Sequence, residues 1–186
     1  MEFFPPLEFS ILGGWILLII EWSIPILTLS LAPHETRKKL LDRTHFSKKQ
    51  KQFLIFSKLF SLILLILIFF TPLSLNSPEF YIGIIIFFVG SLIQIIALIN
   101  FIKTPMDKPV TTGMYKISRH PQDTSIFISY IGICLSIGSW VALILLFLGH
   151  IFKHYSVLAE EEACAELYGE IYEEYRKKIP RYLLFF

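Results

Sequence analysis

Ile126 to Phe152, IFISYIGICLSIGSWVALILLFLGHIF, is a continuous apolar stretch, and whether it forms one tilted helix or a tight hairpin decides the topology of the chain. Gly138-Ser139-Trp140 lies near its middle; a Gly-Ser break is a turn signal, and a tryptophan there suits a membrane interface. The cations choose between the two. The chain carries 17 Lys and Arg. One group is Arg37, Lys38, Lys39, Arg43, Lys48, Lys49 and Lys51, with Lys58 close behind it. A second is Lys103, Lys108, Lys116 and Arg119, and a third is Lys153, Arg176, Lys177, Lys178 and Arg181. A hairpin keeps all three groups on one side, where the positive-inside tendency wants them; a single span sends the last group across the membrane.

Working outward, the composition is 54% apolar, 16% aromatic and only 17% charged. That excludes a soluble domain with a solvated surface and points to an integral membrane protein. Nothing in it calls for a nucleic-acid partner. The first ten residues contain no Lys or Arg, and no small-x-small site closes the first apolar run, so that run is expected to remain as a membrane helix. Apolar runs, the first three of them long enough to cross a hydrocarbon core of about 30 Å, give an all-α membrane protein of five transmembrane helices, at about 11–31, 53–75, 80–102, 123–137 and 141–159, the fourth only about 22 Å long at helical rise. The last two form the hairpin, and a cytoplasmic helical segment follows at 160–181. All belong to one domain, with the N-terminus outside and the C-terminus in the cytoplasm. Glu21 is an ionisable group inside the first run and is read as a wall of the substrate cavity or as a buried, internally paired acid. Gly83 and Gly90 are expected points of close helix approach, and Gln94 an interhelical hydrogen bonder. Cys134 and Cys164 suggest neither a disulfide framework nor a thiolate metal site. The five histidines are too few for a multi-histidine iron site, and no metal is expected.

Besides the cation-rich stretch at 34–52, two polar passages interrupt this apolar chain. Gly113-Met114-Tyr115-Lys116-Ile117-Ser118-Arg119-His120-Pro121 puts a cation, an imidazole and a proline together at the foot of an apolar run, where ionisable groups are costly unless used. Glu160-Glu161 opens a tail in which Tyr168, Tyr172 and Tyr175 share one helix face. The hairpin brings both passages to one side of the membrane, as two halves of a site.

The pattern G-x-Y-x-x-x-R-H-P at 113–121, followed by E-E, Y-G-x-x-Y-x-x-Y and P-R between Glu160 and Arg181, resembles the integral membrane methyltransferases that include isoprenylcysteine carboxyl methyltransferase and phospholipid N-methyltransferases. The resemblance covers about the last 80 residues. It implies S-adenosylmethionine as cofactor, in a cytoplasm-facing pocket between the polar loop and the helix of the paired glutamates. It also implies that Lys108, Pro109, Val110, Tyr115, His120, Pro121 and Glu160 bind that cofactor. A lipid or lipid-linked acceptor would enter from the bilayer. An amine acceptor must be deprotonated, for which Glu161, Asp123 or His120 is available; a carboxylate acceptor needs a cationic partner such as Arg119. Arg119, Asp123 and Glu161 are therefore the expected catalytic groups.

The chain departs from the family in two places. Relatives follow R-H-P with x-Y-x-G, where this chain has Gln122, Asp123, Thr124 and Ser125. Prenylcysteine enzymes carry an arginine one turn before the glutamates, where Ser156 stands here. With Glu160, Glu161 and Asp123 converging on the site, like charge favours an amine or neutral headgroup over a prenylcysteine carboxylate. Two other function classes fit the outline. One is an NADPH-dependent reductase of sterol-reductase-like architecture, and the other is a non-catalytic membrane scaffold. The acceptor and the oligomeric state are not encoded legibly.

Overall fold

Ser47 starts the first long helix with a capping box: its hydroxyl accepts from the backbone N–H of Gln50, and the Gln50 side chain accepts from the N–H of Ser47, so that two orphan donors are satisfied at once. The computed structural model describes residues 1–34, 47–105 and 107–183. Among them are six α-helices: α1 Trp15–Ser30, α2 Lys48–Phe69, α3 Pro78–Lys103, α4 Pro121–Ser136, α5 Trp140–Tyr168 and α6 Glu170–Lys178. A 3₁₀ turn spans Gly113–Lys116. Arg37, Lys38, Lys39, Arg43, Glu35 and His45 lie outside the described residues.

The expectation of five crossing helices is overturned. Three helices, α2, α3 and α5, are long and apolar enough to cross a membrane, which makes this a multi-pass membrane protein. Helices α1 and α4 have 16 residues each, about 24 Å at helical rise and short of a core of about 30 Å. The run at 11–31 and the arm at 123–137 fall short of a crossing for definite reasons. Residues 12–14 are not helical but pair with the α2–α3 connection, where Leu73 donates to the Leu12 carbonyl and Gly14 to the Thr71 carbonyl, both at 2.9 Å. Helix α4 stops at Ser136 because Gly138 turns the chain at φ 65°, and Ser139 caps α5 through the Ala142 N–H. Helix α5 also runs further than expected, to Tyr168, so Glu160 and Glu161 sit on its last turns and not on a separate segment. The break comes at Gly169, with φ 55°.

Two seams hold the bundle. Along α3 and α4 the backbones touch: a Cβ at Gly83 would lie 2.6 Å from the Gly132 carbonyl, and one at Gly90 would lie 2.5 Å from Ser129 N. Small residues thus let dispersion contacts replace the hydrophobic force that lipid does not supply. Between α2 and α5 the seam is aromatic, with Phe53 stacked on Tyr155 at 4.0 Å and Phe60 on Phe152 at 5.5 Å. The Ser57 hydroxyl adds a 3.0 Å bond to the Gly149 carbonyl. Faces turned away from both seams remain apolar, as at Ile55, Leu59, Ile85, Phe88 and Leu92, which suits a hydrocarbon surround. Gln94 is buried, but its Oε1 has no partner among the described residues.

Candidate active site

The site is built at the end of the bundle opposite the α4–α5 turn. Asn100, near the end of α3, receives the Met114 N–H at 3.0 Å and fixes the start of the 3₁₀ turn. Gly113 sits there at φ 58°, with the Asn100 amide in the space a Cβ would need. Tyr115 then points inward and is buried. Its hydroxyl accepts from Gln122 Nε2 at 2.8 Å, and its carbonyl accepts from the Tyr175 hydroxyl at 2.7 Å. Burial lifts Tyr115, Tyr172 and Tyr175 above the ordinary phenol range. On the tyrosine face of the tail, Tyr172 and Tyr175 therefore pack on protein.

Arg119 has almost no exposure. Its Nε donates to Glu161 Oε1 at 2.9 Å, and its Nη1 donates to the carbonyls of Arg176 and Ile179 at 2.6 and 3.0 Å. Arg181 meets the same carboxylate from the other side, with Nε on Oε1 at 3.0 Å and Nη2 on Oε2 at 2.9 Å. That hydrogen bonding holds the Arg181 guanidinium above its usual range. The backbone joins in: Arg119 N donates to the Pro180 carbonyl, while Ser118 Oγ and His120 N donate to that of Arg181. The Arg-His-Pro passage and the tail after α6 are thus one unit tied through Glu161. A guanidinium facing three protein acceptors acts first as a clamp, so Arg119 holds the wall of the site in place.

His120 stands among three carboxylates. Its Nε2 is 3.2 Å from Glu161 Oε1, and its Nδ1 is 3.9 Å from Asp123 Oδ2 and 4.0 Å from Glu160 Oε2. Lys153 brings its ammonium to 3.4 Å from Asp123 Oδ1 and 3.9 Å from Glu160 Oε1. Ligand atoms of His120, Asp123 and Glu160 all lie within 4.8 Å of one another, a spacing a divalent ion would accept, but such an ion would sit against the Lys153 ammonium. Like charge does not bar a carboxylate here, contrary to expectation, since Lys153 offsets Asp123 and Glu160 while Arg119 and Arg181 offset Glu161. Sequence reasoning counted Lys153 among the cations but left it out of the expected site. It lies seven residues before Glu160, two turns along the same face of α5, and that spacing was the available signal.

Pro109, Val110, Tyr115, Arg119, His120, Asp123 and Glu160 line one cavity of about 150 Å³, closed by the tyrosines of the tail. Lys108, Pro121 and Glu161 are adjacent in sequence but do not line it; Pro121 instead begins α4. Glu21 is elsewhere, 2% exposed, accepting from Ser91 Oγ at 3.0 Å. It lines none of the site's cavities. Asp123 reappears in the wall of a second cavity, about 300 Å³, with His150 and Lys153. His150 and Phe127 are shared in turn with a third, about 650 Å³ and almost wholly apolar, between α4 and α5. Tyr182 reaches this last cavity from the tail, its hydroxyl 3.0 Å from His154 Nδ1.

A family profile described as phospholipid methyltransferase matches residues 79–171, half of the chain. The chain belongs to the phospholipid methyltransferase family. Similarity to a protein-S-isoprenylcysteine O-methyltransferase of Schizosaccharomyces pombe reaches 37% identity over 73 residues, which is 38% of this chain and 30% of that enzyme's length. This phospholipid methyltransferase family member thus shares less than a third of the fission yeast enzyme. The profile runs from the start of α3 through the Glu160-Glu161 pair to the first residues of α6, so both halves of the site fall inside it.

Proposed function

We propose that the protein transfers a methyl group from S-adenosylmethionine to a lipid or lipid-linked acceptor, at the cytoplasmic face of its membrane. One observation carries the reading: three cavities in a row, the first bringing Arg119, His120, Asp123 and Glu160 together among aromatic side chains and the last almost wholly apolar between α4 and α5, with Asp123 as the wall common to the first two and His150 to the last two. A water-soluble donor and a bilayer-borne acceptor need such a meeting point.

The donor set of the first cavity fits the cofactor. Carboxylates at Asp123 and Glu160 suit a sulfonium or ammonium, and Tyr115, Tyr168, Tyr172 and Tyr175 suit an adenine. When bound, the cofactor supplies an electrophilic methyl group. The chain's own part is alignment and exclusion of water. In this reading Pro109 and Val110 shape the pocket, Glu160 and His120 hold the cofactor, Lys108 and Pro121 support its loop, and Arg119 and Glu161 position the wall behind it. At about 150 Å³ the cavity is smaller than the roughly 300 Å³ at which ligand pockets usually begin. Binding therefore includes an outward shift of the tail or of the loop before Gly113.

Titration of the purified protein with labelled S-adenosylmethionine and, separately, NADPH tests the proposal. His120→Ala and Glu160→Ala are expected to lose cofactor binding at least tenfold, and Glu174→Ala, an exposed position, to keep it. Binding of NADPH in place of S-adenosylmethionine would make the protein a reductase, and binding of neither would make it a scaffold.

A further inference from the structure

We infer that His150 is the proton acceptor for the methyl acceptor, and that the acceptor is a lipid headgroup nucleophile carrying a proton, an amine or a hydroxyl. This rests on the methyl-transfer reading above. The other candidate bases are engaged: both oxygens of Glu161 receive guanidinium N–H groups, Asp123 faces Lys153 and His120, and His120 faces Glu161. His154 is bonded to the Tyr182 hydroxyl. His150 is placed differently. Its ring stacks on Phe127 with centroids 4.2 Å apart, and neither ring nitrogen has a hydrogen-bond partner among the described residues. It alone combines an imidazole with walls of both the apolar cavity and the cavity that holds Asp123 and Lys153.

An acyl chain in the apolar cavity would place its headgroup at this junction. There the acceptor's lone pair forms the new bond to the methyl carbon. The carbon–sulfur bond breaks with its electron pair kept by sulfur, which leaves as a neutral thioether, and the acceptor's proton passes to an open ring nitrogen of His150. An amine that arrives protonated gives one proton to the same nitrogen beforehand, and that proton is released to water. A carboxylate acceptor has no proton to give and would leave His150 without a task. Positioned general bases contribute about 10²–10⁴-fold.

The test uses the full chain in nanodiscs of phosphatidylethanolamine with phosphatidylcholine, and a second preparation in which farnesylcysteine is the only added acceptor. The titratable groups facing His150 are Asp123 from α4, Lys153 and His154 on its own helix, and Tyr182 from the tail, and all are retained. His150→Gln is expected to bind S-adenosylmethionine like the wild type, keep its KM for lipid within about threefold, and lose at least 100-fold in kcat together with the acidic limb of the pH profile. External imidazole should restore part of the rate to His150→Ala. In cofactor-free protein with ¹⁵N-labelled histidine, the ring signal of His150, and not that of His154, should move when phosphatidylethanolamine replaces phosphatidylcholine. Equal kcat and pH profile in wild type and His150→Gln, labelling of farnesylcysteine alone, or labelling of neither acceptor by a protein that binds the cofactor would each overturn the inference. Failure of the wild type to bind S-adenosylmethionine would instead remove the reading beneath it.

Discussion

Glu160 and Glu161 are neighbours in the sequence with different work to do. Glu161 is 3% exposed and meets Arg119 and Arg181; Glu160 is 27% exposed and faces the cavity. Removing one partner of a buried, hydrogen-bonded charge pair costs about 3–5 kcal/mol, because the other charge stays behind unpaired. Glu161→Gln should therefore lower the thermal midpoint and open the tail to protease, whereas Glu160→Gln should leave both unchanged and weaken cofactor binding. The buried phenols give a second expectation. Tyr115, Tyr172, Tyr175 and Tyr182 are all raised by burial, so the folded state holds their protons more tightly than the unfolded chain does. Their contribution to stability is complete below the free value of about 10 and is lost as pH rises above it. The phenolate signal of these four tyrosines should thus appear late in the folded protein and coincide with release of the tail; their titration near 10 in the folded protein would contradict the burial. The sequence marked both glutamates, but a step of about 100° around a helix separates an inward clamp from a cavity wall, and only packing fixes which is which.

At the scale of elements, the α3–α4 seam depends on absent side chains. A Cβ at Gly132 would press on the backbone of Phe87 and lie 2.6 Å from the Gly83 carbonyl, while one at Gly149, in the α2–α5 seam, would be 3.4 Å from the nearest atom. Gly132→Val is expected to destabilise by about 1–3 kcal/mol as overpacking does, and Gly149→Ala by much less, read as thermal midpoints in detergent. Gly83 and Gly90 were legible as close approaches because glycine in an apolar helix has few other uses. Helix ends were not. Hydropathy counts apolar residues without asking whether their backbone is helical, so Ile11 to Gly14 and Ile137 read as span although the fold uses them in extended pairing and a turn. Lys153 escaped for a related reason: its seven-residue spacing to Glu160 has meaning only when both lie on one continuous helix, and the expected boundary at 159/160 divided them.

For the whole molecule, the described cations are unevenly placed. Lys48, Lys49, Lys51, Lys103 and all described Lys and Arg from Lys108 onward lie toward the site end of the bundle, as the bond from Gln50 on α2 to Glu162 on α5 illustrates. The opposite end, around the 70–77 connection and Gly138, has no Lys or Arg among the described residues. That distribution supports a cytoplasmic site. In a Cys164→Ser background, Lys116→Cys and Glu170→Cys should resist a membrane-impermeant thiol reagent on intact cells, and Asn76→Cys should react; labelling at position 170 would refute the orientation. The clamp at Arg119 carries a different consequence. Its Nη1 grips main-chain carbonyls of residues 176 and 179, and carbonyls are the same whatever side chain they belong to. Evolution is accordingly free to exchange Lys177 or Lys178 for other helix formers without Arg119 registering the change. A single deletion there is another matter, since it turns every later carbonyl by about 100° and would unfasten the tail while leaving its composition almost intact.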